Sequence, residues 1–370
     1  MARLDFSRLS VLVVEDSAFM RSLFTTVLRA LGVERITLAE NGEDAIRILK
    51  PVQKTKSGQL VGFTGIDVVI CDYFMPVLDG GMVLRWLRRS EHSPDRFLPF
   101  IMVSAAADLE TLTTARDNGI DEFLAKPFSA EMLARRLTTI VESPRPYIFA
   151  PSYFGPDRRR RSKPVETDRR VMKEADVEVV HSVKDVSALK NSDKKVWVFR
   201  LPRSLRNKLA TGEAGPDSQP FDPAILEAAE AKIQEMEGDY SDWVADTLEE
   251  LTQALHRAIE EMEAAPKHIA EIRRIAHELR GQGGIFGYPL MTQFAKSLYE
   301  QTHEDVQVTP ELLELVKAHI DLIRIVTKQK IKGDGGETGK QLMTSLAEAK
   351  RKFAGNAKAP KQPVPAAKAS

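Results

Sequence analysis

Five short apolar runs recur along the first 145 residues, each followed by a stretch with helical spacing. Leu9 to Val14 runs straight into Glu15 and Asp16. Ser17 then stands as an N-cap before an amphipathic helix from Ala18 to Leu31, which Gly32 ends. Ile36 to Ala39, Val68 to Asp72, Phe100 to Val103 and Glu122 to Ala125 predict the remaining strands. Glu43 to Leu49, Met82 to Arg89, Leu109 to Asn118 and Met132 to Val141 predict the remaining helices. Runs with no polar alternation belong to strands buried on both faces, so the pattern predicts an α/β domain over 1–143, a doubly wound five-stranded parallel sheet with right-handed crossovers. The polar connection from Val52 to Gly65 is longer than most.

From Phe221 onward the period changes to that of helices. Pro223 behind Asp222 opens a segment to Glu237, which Gly238 breaks. Trp243 to Met262, Pro266 to Phe286, Leu290 to Thr302 and Pro310 to Lys330 follow. This predicts an antiparallel all-α bundle over 217–332. Four prolines between Pro144 and Pro156 place a boundary near Ser143 and predict a basic, partly ordered linker over 144–216, with a small strand at Val196 to Phe199. Beyond Gly333 the composition turns to Gly, Ala, Lys and Pro, which predicts a mostly disordered tail over 333–370 in which Leu342 to Phe353 keeps helical spacing.

With 370 residues, 43% apolar and 29% charged, the chain has material for two or three globular domains. Formal net charge is zero, but Asp222 to Glu263 is strongly acidic and Asp157 to Lys173 strongly basic, so only local charge bears on partners. Cys71 is the single cysteine, which excludes an intrachain disulfide and fits a reducing, cytoplasmic setting. No apolar run reaches the length of a membrane span, so membrane insertion is not expected. The run Arg158 to Arg161 resembles the arginines of PilZ domains. The Asp-x-Ser-x-x-Gly motif of those domains is missing, since Leu189 and Lys190 follow Asp185-Val186-Ser187. No recognition-helix pair is visible, which argues against nucleic acid as a partner.

The carboxyl edge of a parallel sheet is where ligands collect. Glu15, Asp16, Asp72, Ser104 and Lys126 all stand at strand ends, and five independent decorations of one edge are improbable. Three carboxylates are too few for an all-protein calcium cage but suit Mg²⁺, which keeps waters and shares its shell with a phosphate. Lys126 and Ser104 would meet the remaining phosphoryl oxygens. As a strand-tip ammonium Lys126 is expected to add little to stability.

Those residues resemble a response-regulator receiver domain, of flavodoxin-like fold. Val13-Val14-Glu15-Asp16-Ser17 with Arg21 matches its acidic pair, Asp72 with Met75-Pro76 and Asp79-Gly80 its phosphoacceptor loop, and Ser104 with Lys126-Pro127-Phe128 completes the set. The resemblance implies that Asp72 takes a phosphoryl group from a phosphohistidine. It also implies that Asp16, Asp72, the carbonyl of Phe74 and, through water, Glu15 hold Mg²⁺. Phe123 falls at the aromatic switch position, without the usual tyrosine hydroxyl.

In the third helix of the bundle Ile269, Ile272, Ala276 and Leu279 form a core stripe, and His277 lies roughly 120° from its centre, facing solvent. Ala270, Arg273, Gly281 and Gly284 share its face. Glycines inside a helix cost about 1 kcal/mol each against alanine, which the close approach of another backbone would justify. The segment is similar to histidine phosphotransfer domains, whose His-x-Leu-Lys-Gly pattern and later glycine are matched by His277, Leu279, Arg280, Gly281 and Gly287. Arg280 replaces the lysine, and Gln282 and Gly283 stand where two serines are common. No ATP-binding segment is visible, so the implied protein is not a kinase. The implied partners are a sensor histidine kinase and a second response regulator or phosphotransfer protein. The rival expectation is a receiver whose bundle carries no phosphate and serves as an interaction or nucleic-acid-binding output.

Overall fold

The computed structural model of the chain describes residues 3–50, 53–54, 60–61, 65–105, 109–158, 177–180, 196–211, 221–303 and 305–357. They form two compact units, Met1–Glu237 and Gly238–Ser370. In the first, five parallel strands lie in the order β2-β1-β3-β4-β5: β1 (Ser10–Val14), β2 (Arg35–Ala39), β3 (Val68–Asp72), β4 (Phe100–Ser104) and β5 (Glu122–Ala125). β1, β3 and β4 are buried at every position, the result of runs apolar on both faces. Val14 lies beside Cys71, Cys71 beside Met102, and Ser104 beside Ala125. The strands therefore end in step, and the residues just past them share one edge.

The intervening helices are α1 (Ala18–Ala30), α2 (Gly42–Leu49), α3 (Gly80–Arg89), α4 (Leu109–Asp117) and α5 (Ala130–Glu142). Ser17, Asn41, Asp79 and Ser129 cap α1, α2, α3 and α5 with side-chain oxygens, each contributing about 1 kcal/mol. α3 begins at Gly80 rather than Met82 because Asp79 is the cap. A Cβ on Gly80 would lie 2.1 Å from the Asp72 carbonyl oxygen, so only glycine lets the 73–79 loop fold back onto the strand end. Within the long connection before β3, Gln53–Lys54 pairs with Leu60–Val61.

Three expectations are corrected. The stretch 144–216, of which only the strand at Val196 to Phe199 was expected, holds a second sheet, β6 (Tyr147–Ala150), β7 (Tyr153–Pro156), β8 (Val177–Val180) and β9 (Val196–Phe199), in the order β7-β6-β9-β8. Its strength is aromatic: Tyr147, Phe154, Trp197 and Phe199 cluster with Phe97, the ring pairs lying 5.2 to 6.4 Å apart. The prolines sit at strand ends and in the turn between β6 and β7, where no ladder N–H is needed. A short helix, α6 (Ser204–Leu209), follows. Residues 159–161 of the basic run and Asp185-Val186-Ser187 lie outside the described residues.

The second correction concerns α7 (Pro223–Glu235). It packs on α1 and α5 of the first unit, not in the bundle. Ala229, Ile233 and Met236 are buried, and Phe221 stacks on Phe6 at 4.3 Å. Gly238 breaks nothing: the chain turns at Met236, and α8 (Glu237–Glu260) runs through it.

The second unit adds α9 (Ala265–Gln282), α10 (Pro289–Gln301) and α11 (Pro310–Lys328), which pack in succession. Ile269, Ile272, Ala276 and Leu279 are all buried, as their spacing predicts. The third correction is the tail, where Gly336–Ala357 forms α12 against α11. Leu342 and Leu346 are buried, and Lys350 Nζ donates to Ser297 Oγ at 3.3 Å, a stripe of period four that the polar composition conceals. Residues 358–370 lie outside the described residues. His319 is wholly buried, with Nδ1 2.7 Å from the Leu315 carbonyl and Nε2 3.0 Å from Ser297 Oγ. Burial pulls it down to about 4, so the ring is neutral.

Candidate functional site

The shared sheet edge brings Glu15, Asp16 and Asp72 together, with carboxylate oxygens within 4.8 Å of one another. Glu15 and Asp72 are buried. Lys126 Nζ sits 2.8 Å from Glu15 Oε2 and 3.1 Å from Asp72 Oδ1. Its side chain is 6% exposed, so the expectation of a strand-tip ammonium with little burial is corrected: 111 residues of chain separate it from Glu15, and only the fold closes that distance. Asp72 Oδ1 has this ion-pair partner but no well-aligned hydrogen bond.

Burial pushes Glu15 up to about 8 and raises Asp72, while the Lys126 ammonium opposes both shifts. Burial works against the charge on Lys126, but Asp72 and Glu15 outweigh it and hold the ammonium protonated. Lys126 thus meets two carboxylates, and with Asp16 beside them the cluster is short of positive charge and built of hard oxygen donors.

The surrounding loops are fixed from the backbone. Arg21, whose role no spacing rule reveals, donates to the carbonyls of Glu15 at 2.7 Å and Asp16 at 2.8 Å and pairs with Glu40. Ser104 is fully buried beside Ala125, and Phe123, half-buried, lies two residues along the same face of β5. Phe74 packs edge-on against Tyr73, and Val77, 86% exposed, holds a positive φ of 68° on the loop beyond Asp72. A β-branched residue in that region is strained, a feature that collects at functional rims.

His277 is half-buried rather than clear in solvent. Arg280 Nη2 lies 3.1 Å from its Nδ1; since a guanidinium only donates, Nδ1 accepts. The Tyr299 ring stands 5.4 Å from the imidazole and carries two guanidiniums, Arg273 at 3.8 Å and Arg280 at 4.7 Å from its centre. Arg273 also donates to the Tyr299 carbonyl at 2.6 Å. Tyr299 belongs to α10, so no motif on α9 signals it. Gly281 is buried and Gly284 half-buried. Close approach is clearest at Gly283, where a Cβ would lie 2.9 Å from the Tyr288 carbonyl.

Comparisons with known proteins agree with this division. The response regulator receiver domain family matches residues 11–138, and the Hpt domain family matches 235–325. A probable transcriptional regulator ycf27 of Porphyridium aerugineum is 30% identical over 131 residues, 35% of this chain and 47% of that protein. The chemotaxis protein CheY-3 of Vibrio cholerae is 29% identical over 134 residues, 36% of this chain and 92% of that protein. The chain spans about half the length of the first curated relatives it matches. Among solved structures, the receiver domain of a Pseudomonas aeruginosa sensor histidine kinase, with a magnesium ion coordinated in its active-site cleft, is 30% identical. It covers 35% of this chain and 94% of its own, at a TM-score of 0.29. Among the described residues no helix is long and apolar enough to cross a membrane. The chain joins a segment of the response-regulator receiver domain family to one of the histidine phosphotransfer domain family.

Proposed function

We propose that Asp72 accepts a phosphoryl group from a phosphohistidine and that His277 carries one. The observation that supports this most is the cluster of Glu15, Asp16 and Asp72, whose two buried members, Glu15 and Asp72, are bridged by Lys126. As the bond from phosphorus to an Asp72 oxygen forms, the bond to the donor nitrogen breaks, and the leaving imidazole keeps its electron pair. The donor set fits Mg²⁺, held by Glu15, Asp16, Asp72 and the Phe74 carbonyl, which when bound neutralises charge on the phosphoryl oxygens. Lys126 holds the acceptor carboxylate and then meets the phosphoryl charge. Ser104 donates its hydroxyl to a phosphoryl oxygen, and Phe123, on the same face, follows Ser104 inward as a two-state switch.

On the bundle, Arg273 and Arg280 are placed by Tyr299 to pair with the phosphoryl oxygens carried by His277, whereas Gly281 is buried and Gly284 lies past the end of α9, so the expectation that both share the His277 face is corrected. The phosphoryl group comes from a sensor histidine kinase and passes to or from a second response regulator or phosphotransfer protein. The chain itself does not act as a kinase. Incubation of wild type, Asp72→Ala and His277→Ala with phosphorylated kinases tests this. Asp72→Ala is expected to lose a base-labile acyl phosphate and His277→Ala an acid-labile phosphoramidate. Undiminished labelling of both variants would overturn the assignment.

A further inference from the structure

Arg280 stands where the His-x-Leu-Lys-Gly pattern has a lysine, and the two side chains are not interchangeable. A lysine is a point charge on a flexible stem, whereas a guanidinium is planar, stacks on aromatic rings and aims its donors in fixed directions. Arg280 lies three residues beyond His277 on α9, so the two are neighbours on the helix surface. It is 6% exposed, and its guanidinium lies 4.7 Å over the Tyr299 ring with Nη2 3.1 Å from His277 Nδ1. Arg273 lies over the same ring at 3.8 Å and donates to the Tyr299 carbonyl at 2.6 Å, which keeps the platform in place. Nδ1 therefore meets a donor whose aim is fixed by an aromatic ring on another helix.

In a neutral imidazole one nitrogen carries the proton and the other the lone pair. Arg280 can only donate, so Nδ1 holds the lone pair and the proton sits on Nε2. Nδ1 adjoins the carbon bonded to Cβ, nearest the helix, while Nε2 stands at the outer end of the ring, where a macromolecular donor arrives. A nitrogen takes a phosphoryl group only through its lone pair. The ring thus keeps its proton on the nitrogen that must react and its lone pair on the one that Arg280 covers. We propose that Arg280, held by Tyr299, is a latch that keeps His277 out of the accepting tautomer until an anionic phosphoryl group draws the guanidinium away. Hydrogen bonds to charged oxygens are roughly twice as strong as neutral ones, so Arg280 exchanges Nδ1 for a phosphoryl oxygen. The Nε2 proton leaves to water as Nδ1 takes one up from water, with no net change of charge. The Nε2 pair then forms the bond to phosphorus while the bond from phosphorus to the donor's carboxylate oxygen breaks, and that oxygen keeps the electron pair. Before transfer Arg280 is a positioning residue, which sets the nitrogen that can act as nucleophile.

The inference rests on the proposed role of His277 and is tested in the full-length Asp72→Ala chain, where the acid-labile label belongs to His277. Long-range proton–nitrogen spectra of the chain carrying 15N-histidine, at pH 8.5, read the tautomer without any phosphoryl transfer; the His277 signals are those lost in His277→Gln. With Arg280 present the proton is expected on Nε2 throughout. In Arg280→Met and in Arg280→Lys, which keeps the charge but not the planar fork, it is expected to divide between the two nitrogens. Phosphoramidate, whose leaving group is ammonia, should label Arg280→Lys about threefold or more faster, in step with the larger accepting fraction. A parent ring already divided between tautomers overturns the latch, as does a tautomer that neither variant moves. So does equal or slower labelling of Arg280→Lys. Absence of acid-labile label from His277 in every chain would instead overturn the carrier role, and the tautomer spectra would still decide what Arg280 does to the ring.

Discussion

In each unit a saturated buried polar cluster can be set beside a less balanced one. At the opposite edge of the receiver sheet from Asp72, Arg88 is fully buried and donates to the carbonyls of Gly119, Arg96 and Leu98, to Asp121 Oδ2 at 2.8 Å and to the Tyr147 hydroxyl. Tyr147 returns a bond to Asp121 Oδ1 at 2.8 Å, and the Phe100 amide donates to Oδ2. One cation meets one carboxylate, and their remaining donors and acceptors are used to fasten the second sheet to the first. At Asp72, three carboxylates meet one ammonium. In the bundle, both nitrogens of His319 are engaged in a neutral ring, whereas His277 is half-buried beside two guanidiniums. Saturation marks a cluster that holds the fold. Unbalanced charge is the feature on which the proposed function of the other two clusters rests.

The comparison is broken most easily at Arg88. Arg88→Ala leaves Asp121 and Tyr147 buried without their cation and is expected to cost about 3–5 kcal/mol in chemical denaturation. Acetyl phosphate labelling of the fraction that stays folded should be normal. A loss below about 1 kcal/mol would show that the cluster is not a fastening. Acid gives the next largest effect, at His319. Its folded value of about 4 lies below the ordinary histidine range, so the unfolded chain binds more protons between pH 6.5 and 4. Its stabilising contribution is complete above pH 6.5 and declines toward pH 4, by on the order of 3 kcal/mol. Urea titrations at pH 7 and 4.5 measure this, and His319→Met should flatten the slope.

The open cluster has the opposite sign. Glu15 sits near 8 when folded, against an ordinary value of 4.5, so the folded state binds more protons in between, and stability declines as pH rises from 4.5 to 8. Glu15→Gln should therefore gain about 1–2 kcal/mol at pH 8.5 and little at pH 4, where the Glu15 carboxyl is mostly protonated in the folded and the unfolded state alike. Mg²⁺ added to wild type should raise the melting temperature more at pH 8.5 than at pH 5. A variant less stable than wild type at pH 8.5 would place Glu15 among the saturated groups.

The sheet and its acidic edge are legible in the sequence because β1, β3 and β4 announce themselves by runs apolar on both faces that lead into polar residues, while β2 and β5, less buried, show a weaker signal. Strand order then aligns Glu15, Asp72, Ser104 and Lys126 without further information. Burial of Lys126 is not legible, since it depends on a carboxylate more than a hundred residues away. The second sheet escapes because its aromatic positions are scattered among prolines that signal breaks locally. α7 reads correctly as a helix, but a helix's own period does not name the surface its stripe will meet, and here that surface is α1 and α5. Tyr299 escapes for the same reason: its neighbours are on α9, and its own segment shows an ordinary amphipathic turn.

The smallest effect is expected at His277, and it tests the bundle's half of the comparison. If His277 is an open group, the fold does not lean on it. The glutamine of His277→Gln is of similar size and offers Arg280 an oxygen acceptor in place of Nδ1, so the guanidinium pair on Tyr299 keeps its place. Stability should stay within about 0.5 kcal/mol of wild type, the range of substitutions that break no cavity, cap or saturated network. The acid-labile phosphoryl label should nonetheless vanish, because an amide oxygen cannot form a phosphoramidate. A loss of 2 kcal/mol or more would make His277 a second His319, engaged in holding the bundle together, and its resemblance to a phosphate carrier would then rest on spacing alone.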